Sequence, residues 1–401
     1  MCEMINVGIA GFGQSHFQTK RTDVTFPELV KEGADLALAN SGISINDVDA
    51  VVYPLAPDAL IGVGNGERWV IDALGATGKP FMRVNNGGAT GMSAVLTAWT
   101  HVASGLFDVV LVAGADRVSE SGSAQSVLNK MWDVGYERTV PLNTITMLAL
   151  SAQRYMHLYD SDETDMALVT VKNRYHASLN PYAHLRTPIT VEEVLATRTL
   201  AWPIKLGDAC PASTGAAGVV LVSERYAKEH NIKPAWIRGL GQNTETFWMG
   251  ARVGEKAFGD HADADALGRA FDTAYEQAGI TDPINQIDVA EIYAPFSSVE
   301  LHVIEAARLA EKGKSPEGLR NGKFTLGGEG PVVNPSGGTL CTNPIAVTGT
   351  IRVGEAANQV LGRSGAHQVA GARVAIASAI GGDHQFYSTM VLCSDLEEIN
   401  K

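Results

Sequence analysis

An internal repeat is the feature that most constrains how this 401-residue chain can fold. Residues 37–53 run from a helical pattern through Ser-Gly and a polar linker into Val-Asp-Ala-Val-Val-Tyr. Residues 274–293 repeat this order, passing through Ala-Gly and a polar linker into Ile-Asp-Val-Ala-Glu-Ile-Tyr. Thr90-Gly91 and Thr348-Gly349 then each open a helix-like segment. Two independent origins of this order are improbable, so the chain is predicted to contain a duplicated unit.

Each copy alternates strand-like and helix-like segments, which predicts an α/β fold with a mostly parallel sheet covered by helices. The apolar run at 108–114, echoed at 373–380, is typical of buried central strands. Between residues 117 and 200 the alternation stops, and the segment is rich in Met, Trp and Tyr. It is predicted to be an inserted lid lining an acyl pocket, or alternatively a helical layer of the core. The predicted division is an N-terminal half (1–116 and 201–228), the lid (117–200) and a C-terminal half (229–401).

Composition narrows the class of protein. Hydrophobic residues are 45%, charged residues 19% and the net charge is -13, which argues against nucleic acid or an anionic membrane as a partner. No run is long enough for a membrane span and the N-terminus lacks the shape of a signal peptide, so we expect a cytoplasmic protein. The four cysteines are far apart in sequence, which predicts neither a disulfide framework nor a metal site. They are Cys2, Cys210, Cys341 and Cys393.

Two glycine-rich stretches follow strand-like runs. Gly8, Gly11 and Gly13 lack the spacing of a dinucleotide fingerprint and predict a tight turn that ends the first strand. The second stretch, residues 85–91, follows a strand-like run at 80–84 and opens directly into a helical segment. Its backbone N–H groups lie at a helix N-terminus, where an anion or oxyanion is favoured.

This second turn, Asn85-Asn-Gly-Gly-Ala-Thr-Gly91, resembles the thiolase superfamily and is closest to its sterol-carrier-protein branch. Members of that branch carry Asn-Asn-x-Cys-Ala-[Thr/Ser]-Gly. The stretch 208–217 is similar to a second family pattern, Asp-Cys-Cys-Pro-x-Ser-Asp-Gly-Ala-Ala. The resemblance covers nearly the whole chain. It implies the thiolase fold with two duplicated halves stacked in five layers, a coenzyme A thioester as substrate with no bound cofactor, and a two-fold homodimer with 83–105 near the interface.

The resemblance also locates the family's reactive side chains, and all four are replaced. The nucleophilic cysteine falls on Gly88, and the histidine of His-[Asp/Glu]-x-Phe falls on Tyr293. With a one-residue gap, the histidine of Gly-His-Pro falls on Asn343, and the second cysteine falls on Ala379. Without a thiolate at residue 88, acyl transfer at the usual position is not available. Glycine N–H groups, a phenol and an amide remain, and these can polarise a carbonyl and move a proton.

One branch of the superfamily resembles this inventory. The sterol side-chain aldolases have glycines at the nucleophile turn and Tyr-Asp-x-Phe in place of the histidine motif. They cleave a β-hydroxyacyl-CoA by retro-aldol chemistry with a zinc-ribbon and OB-fold partner, so the resemblance implies such a partner. The chain departs from their pattern twice: their Asp is Ala294, and their second catalytic tyrosine falls on Pro344.

These positions define the predicted site. Tyr293 and Asn343 are the first catalytic candidates. Alternatively, Tyr293 is only a packed aromatic ring and Asn343 only a residue that favours a turn. Cys341 is either a relocated nucleophile or an inert buried thiol, and His384 is a candidate base. For Tyr293 to act as a base, its environment must lower the phenol pKa or relay the proton through water. The predicted substrate-binding residues are Asn86, Gly87, Gly88, Gly338 and Gly382.

Three functions therefore remain open from the sequence. The first is a retro-aldol lyase that uses Tyr293 for proton transfer. The second is an acyltransferase with its nucleophile moved to Cys341. The third is a non-catalytic subunit that binds acyl-CoA or lipid for a partner.

Overall fold

A computed structural model describes residues 5–120, 122–140, 142–252, 259–382, 384–397 and 399; Cys2 lies outside this set. The strands are β1 Val7–Gln14, β2 Ala50–Pro54, β3 Phe81–Val84, β4 Val109–Arg117, β5 Thr199–Ala201, β6 Ile204–Lys205, β7 Thr214–Ser223, β8 Ala235–Thr244, β9 Val289–Glu291, β10 Val332–Val333, β11 Val374–Gly381 and β12 Phe386–Cys393. The α-helices are α1 Phe26–Ser41, α2 Glu67–Val70, α3 Thr90–Ala103, α4 Ala124–Leu128, α5 Thr144–Tyr159, α6 Glu163–Leu179, α7 Val191–Leu195, α8 Glu224–Glu229, α9 Asp265–Ala278, α10 Pro283–Gln286, α11 Ser297–Ala306, α12 Ser315–Arg320, α13 Gly338–Cys341 and α14 Thr348–Val360.

The sheet confirms the duplication. Its ten strands run in the order β10-β9-β11-β12-β8-β1-β7-β4-β2-β3. In the first half, β2 is parallel to β3 and β4, β4 is antiparallel to β7, and β7 is antiparallel to β1. In the second half, β9, β10, β11, β12 and β8 repeat the same pairings in the same directions. The halves join where β1 meets β8 through Gly8–Trp236 and Ile9–Ala235.

The prediction of a mostly parallel sheet is wrong, because the last strand of each half returns antiparallel. Strand β12 follows β11 after a short connection, and β11 and β12 pair along their whole length. No crossover helix is needed for such a return, whereas parallel neighbours require one. The first strand of each half then lies antiparallel beside the last, so the sheet is mixed.

Two helices form the central layer. Helices α3 and α14 pack against each other between the halves, while α1 lies against β1, β7 and β4 and α9 lies against β8 and β12. A Cβ on Gly91 would lie 2.5 Å from the Thr350 nitrogen, and one on Gly349 would collide with the Met92 nitrogen. The two helices therefore touch at their N-terminal ends, and the layers succeed one another as helix, sheet, helices, sheet and helix.

Glycines also decide how α1 lies on β1. The helix starts at a capping box in which Thr25 and Glu28 satisfy each other's backbone N–H groups. Gly11 and Gly13 lie inside β1, where a Cβ on Gly11 would be 2.5 Å from the Ser41 nitrogen and one on Gly13 would overlap α1. The predicted tight turn at these glycines is wrong, since they serve the close approach of the helix.

The segment between β4 and β7 contains α4 to α7 and the small β5–β6 pair. Trp132, Met147 and Tyr155 are buried in one hydrophobic cluster with the C-terminal half, whereas Tyr136 is 75% exposed. The aromatic residues of the predicted lid thus divide between core and surface, and the boundaries proposed for the lid stay a prediction. Among the described helices, none combines the length and the apolar character that a bilayer crossing requires.

Candidate active site

The turn before α3 is closed by its own hydrogen bonds. The Asn86 backbone N–H donates to Thr90 Oγ1 at 2.7 Å, and Thr90 N–H donates to the Gly87 carbonyl at 3.1 Å. The Asn86 side chain donates to Ser93 Oγ at 3.2 Å, so it is directed along the helix. Gly87 and Gly88 are half-buried. Gly87 N–H donates to Asn85 Oδ1 at 3.3 Å, and the amides of both glycines lie at the positive end of the α3 dipole.

A second turn, at the end of β11, lies directly on the first. Gly87 has a φ of +57°, and a Cβ there would be 2.9 Å from the Gly382 nitrogen. A Cβ on Gly88 would be 2.5 Å from the Ile380 carbonyl oxygen, and one on Gly381 would collide with the Asn86 carbonyl oxygen. The two backbones therefore interlock, which requires glycine on both sides.

Tyr293 completes this arrangement. Its hydroxyl oxygen would lie 2.7 Å, and its Cζ 3.3 Å, from a Cβ placed on Gly88. The loop that carries it is fixed by two bonds to neighbouring strands and turns: Tyr293 N–H donates to Ser378 Oγ at 3.1 Å, and Ile292 N–H to Asn334 Oδ1 at 2.9 Å. The phenol oxygen thus occupies the space in which a side chain at residue 88 would begin.

The Tyr293 phenol is held in its protonated form. Burial raises its pKa well above the ordinary value, and the neighbouring Cys210 thiol raises it further. Its hydroxyl has no hydrogen-bond partner within the described part of the chain, so it is free to donate to a ligand. Of the two routes expected from the sequence, a lowered phenol pKa does not match this environment, because burial outweighs the helix dipole. A relayed proton remains compatible with it.

Asn343 contacts Cys210, the thiol that neighbours the phenol, and has a fixed orientation. It is 7% exposed; its Oδ1 accepts from Thr348 Oγ1 at 2.9 Å, and its Nδ2 donates to Cys210 Sγ at 3.1 Å. Its backbone N–H donates to Ser213 Oγ at 3.1 Å. The amide is therefore held on both sides.

Cys210 adjoins Tyr293 and Asn343, although it is not among the site residues predicted from the sequence. Its backbone N–H donates to the Pro295 carbonyl at 2.9 Å, which ties it to the Tyr293 loop. Burial raises the pKa of the Cys210 thiol to about 11, against the opposing effect of the Asn343 hydrogen bond, so it is a neutral thiol at pH 7. No local signal could have placed it here, because the contact joins segments that are distant in sequence.

Cys341 and His384 lie in other surroundings. Cys341 is fully buried against Ala177 and Ala183, and burial raises its pKa to about 12. These surroundings do not favour a thiolate, and the role of Cys341 as a nucleophile stays a prediction. His384 lines a small cavity with His261 and Arg252.

The surroundings of His384 do not suit a base for the site. Burial, with Arg252 and two neighbouring imidazoles, lowers the pKa of His384 to about 3. The described lining of its cavity includes neither Gly88 nor Tyr293. The histidine is therefore a very weak base that faces a different space, and its role as a catalytic base stays a prediction.

The two remaining predicted glycines differ in their environment. Gly382, with a φ of +62°, lies against Gly87 in the interlocked turns. The Gly338 N–H donates to Ser336 Oγ at 3.3 Å, and a Cβ there would be 2.7 Å from Asn334 Cγ. Packing against Asn334 accounts for glycine at 338, and its role in substrate binding stays a prediction.

Comparisons with known proteins agree with this geometry. The profile of the thiolase N-terminal domain matches residues 5–201, and that of the thiolase C-terminal domain-like family matches residues 256–394. Sterol carrier protein 2 of Gallus gallus is 29% identical over 387 residues, covering 94% of this chain and 69% of that protein. The benzoylsuccinyl-CoA thiolase subunit BbsB of Thauera aromatica is 30% identical over 388 residues, covering 94% of each chain. The solved Ltp2-ChsH2(DUF35) aldolase has a TM-score of 0.82 at 25% identity, covering 98% of each chain.

The duplicated fold, the interlocked turns and these relatives together show that the chain belongs to the thiolase superfamily, in the branch related to sterol carrier protein 2. This confirms the family and the fold predicted from the sequence. The class that they define is an enzyme acting on acyl-CoA.

Proposed function

We propose that this protein cleaves the Cα–Cβ bond of a β-hydroxyacyl-CoA by a retro-aldol reaction, without an acyl-enzyme. The observation that carries the proposal is the Tyr293 hydroxyl, which fills the space that a side chain at residue 88 would need. A nucleophile at residue 88 and the phenol in this position exclude each other. The aldolase relative supports the same chemistry.

The first task in this reaction is to stabilise charge on the thioester oxygen. Breaking the Cα–Cβ bond leaves an enolate whose negative charge is shared with that oxygen. The Gly88 amide lies beside the N-terminus of α3 and can donate to it, whereas the Gly87 N–H is bonded to Asn85 Oδ1. Because the Gly88 backbone is fixed by the interlocked turns, its amide needs no rearrangement as the charge develops.

The second task is to move one proton from the β-hydroxyl to the α-carbon. Since burial keeps Tyr293 protonated, a relay fits better than a free phenolate. The phenol oxygen accepts the hydroxyl proton while its own proton passes to the α-carbon. The products are a ketone or aldehyde and a shortened acyl-CoA, and the phenol is restored. Cys210 neighbours the phenol and is held by the Asn343 amide, and this pair would orient the substrate hydroxyl.

An acyltransferase is the second candidate, because one relative is a thiolase subunit. For that hypothesis, Cys210, the thiol that contacts Asn343, is a further candidate nucleophile beside Cys341. A pKa of about 11 leaves little thiolate at neutral pH, so the lyase is favoured.

Assembly belongs to the same proposal. Strand β3 lies at the edge of the sheet, where Met82 is 45% exposed and the nearby Trp69 is 56% exposed. We propose that this edge forms a two-fold homodimer, since an open strand edge is a template for pairing. A zinc-ribbon and OB-fold partner is proposed from the resemblance to the aldolases, and the aldolase relative contains a second, DUF35 component.

The test is product analysis with the purified protein. A β-hydroxyacyl-CoA is added with and without a candidate partner, and the products are separated by liquid chromatography with mass detection. A carbonyl product with a matching shortened acyl-CoA, and no acyl adduct in the intact mass, is expected. An acyl adduct mapped to Cys210 or Cys341 would favour the acyltransferase. Binding without turnover under both conditions would favour the non-catalytic subunit.

A further inference from the structure

The duplication extends to the turn that bears Asn343. In the first copy, Thr90 Oγ1 donates to Asn85 Oδ1 at 3.4 Å, and in the second copy Thr348 Oγ1 donates to Asn343 Oδ1 at 2.9 Å. The backbone repeats as well, since residue 89 donates to the residue 86 carbonyl at 3.1 Å and residue 347 to the residue 344 carbonyl at 2.8 Å. In this register, Ala346 at the start of α14 is the counterpart of Gly88 at the start of α3.

The counterpart turn already holds an anion from the chain itself. Ala346 N–H donates to Asp116 Oδ2 at 2.9 Å, and Arg117 N–H donates to Asp116 Oδ1 at 2.8 Å. Asp116 is fully buried near the end of β4. The strands of the two copies match from Val109 and Val374 onward, so the position equivalent to Asp116 is Gly381. The N-terminus of α14 is therefore bonded by the Asp116 carboxylate. The N-terminus of α3 has Gly381 at the equivalent position and carries the candidate site.

We propose that Asp116 is a positioning residue whose ionised carboxylate fastens the Asn343–Thr348 turn and thereby the Asn343 amide. A carboxylate can accept both backbone N–H groups at once, while a protonated acid or an amide presents a hydrogen to one of them. Asn343 then presents its Nδ2 to Cys210, the thiol that neighbours Tyr293. The expected effect of Asp116 on turnover rests on the proposed lyase function. Its expected effect on the stability of the Asn343–Thr348 turn does not.

Among the described residues, the Asp116 carboxylate forms no ion pair. The Tyr53 hydroxyl on β2 is the titratable group facing it, and Gly215 lies opposite on β7. The Arg117 guanidinium is directed away, to Glu120 at 3.1 Å and to the Val24 carbonyl. Within the described residues, no charged side chain hydrogen-bonds the carboxylate.

This isolation sets where the carboxylate titrates. Burial raises the pKa of Asp116 to about 7, against the two N–H groups that favour the charged form. A buried, unpaired carboxylate disfavours folding, so its presence under the site turn calls for a reason other than stability. Holding Asn343 in place is such a reason.

The test compares the full-length protein with Asp116→Asn and a matched control, Asp49→Asn. Asp49 Oδ2 accepts the N–H groups of Asp108 and Val109, each at 2.9 Å, at the opposite end of β4. At pH 8, hydrogen exchange of the peptide spanning 343–348 should be faster in Asp116→Asn and unchanged in Asp49→Asn. Exchange at the wild-type rate in Asp116→Asn would overturn the proposal.

The pH profile of the lyase gives the second measurement. Wild-type turnover should fall about tenfold per pH unit below pH 7 as Asp116 takes up a proton, and Asp49→Asn should do the same. Turnover of Asp116→Asn should be lower by up to about 100-fold, since a small displacement of a group in an active site has effects of that size. Its turnover should also lack the decrease below pH 7. If turnover of Asp116→Asn still decreased below pH 7, the proposal would be overturned.

The outcomes separate the two proposals. Faster exchange in Asp116→Asn in a protein without lyase activity would leave the positioning role intact and remove the proposed function. Lyase activity in the wild type together with unaltered hydrogen exchange in Asp116→Asn would support the proposed function and remove the positioning role. Should Asp116→Asn not fold, the wild-type profile decides, because turnover independent of pH between 6 and 8 would overturn the role of the carboxylate.

Discussion

Tyr293→Phe is expected to lower turnover while leaving stability nearly unchanged. The ring keeps its packing, and the hydroxyl has no hydrogen-bond partner among the described residues, so its removal leaves no protein group unpaired. General acid–base catalysis contributes ~10²–10⁴-fold, so turnover should fall by that factor. At about 1.4 kcal/mol per tenfold, this corresponds to roughly 3–5 kcal/mol of transition-state stabilisation.

A matched control is available in Tyr275→Phe. The Tyr275 hydroxyl is buried on α9 and donates to the Ala307 carbonyl at 2.8 Å. Its removal leaves that carbonyl without the phenol donor, which should lower the free energy of unfolding by about 1–3 kcal/mol. Turnover should not change, because α9 lies in the outer layer. The two substitutions make the same chemical change and should give opposite results.

Both variants would be measured by steady-state product formation from a β-hydroxyacyl-CoA and by urea unfolding. KM should change little in Tyr293→Phe if the hydroxyl acts only on the reacting protons. Wild-type turnover in Tyr293→Phe would refute the reasoning and leave Tyr293 as a packing residue. A parallel loss of stability and turnover in both variants would show that the turnover effect is indirect.

Three further predictions address the turn, the assembly and the pH dependence. Gly88→Cys should lower the free energy of unfolding by ~1–3 kcal/mol, because its Cβ meets the Ile380 carbonyl and the Tyr293 hydroxyl, and should not yield thiolase activity. Thiolysis of acetoacetyl-CoA by this variant would contradict that. Light scattering should give twice the chain mass, and Met82→Lys on β3 should shift it toward one chain; a wild-type monomer at micromolar concentration counts against the dimer. Because burial raises the pKa of Asp116 to about 7, its contribution to stability is present below pH ~4 and lost as the pH rises to 7. Urea unfolding between pH 4 and 8 should show a flatter profile in Asp116→Asn, and an unaltered slope would refute this.

Much of the fold followed from the sequence, because strand and helix periodicity and the turn glycines are local. The repeat at 37–53 and 274–293 predicts two equivalent units, and the strand order has that symmetry. The turn at 85–91 was recognisable for the same reason, since its glycines and the helix behind it are adjacent in the chain. The direction of the last strand in each unit could not be predicted from the sequence. That direction depends on which strand it pairs with in the folded sheet.

The chemical character of the site was decided by tertiary packing. The sequence alone aligned Gly88 with the family's nucleophilic cysteine and Tyr293 with its histidine. Only the stacking of the two halves shows that the phenol fills the space beside residue 88. Packing also brings Cys210 against Asn343 and encloses Cys341 in an apolar cluster. The pKa of each group depends on burial and on neighbours from distant segments, which no local pattern encodes. The chain therefore specifies by itself which side chains are available, and the fold determines which of them meet and in which protonation state.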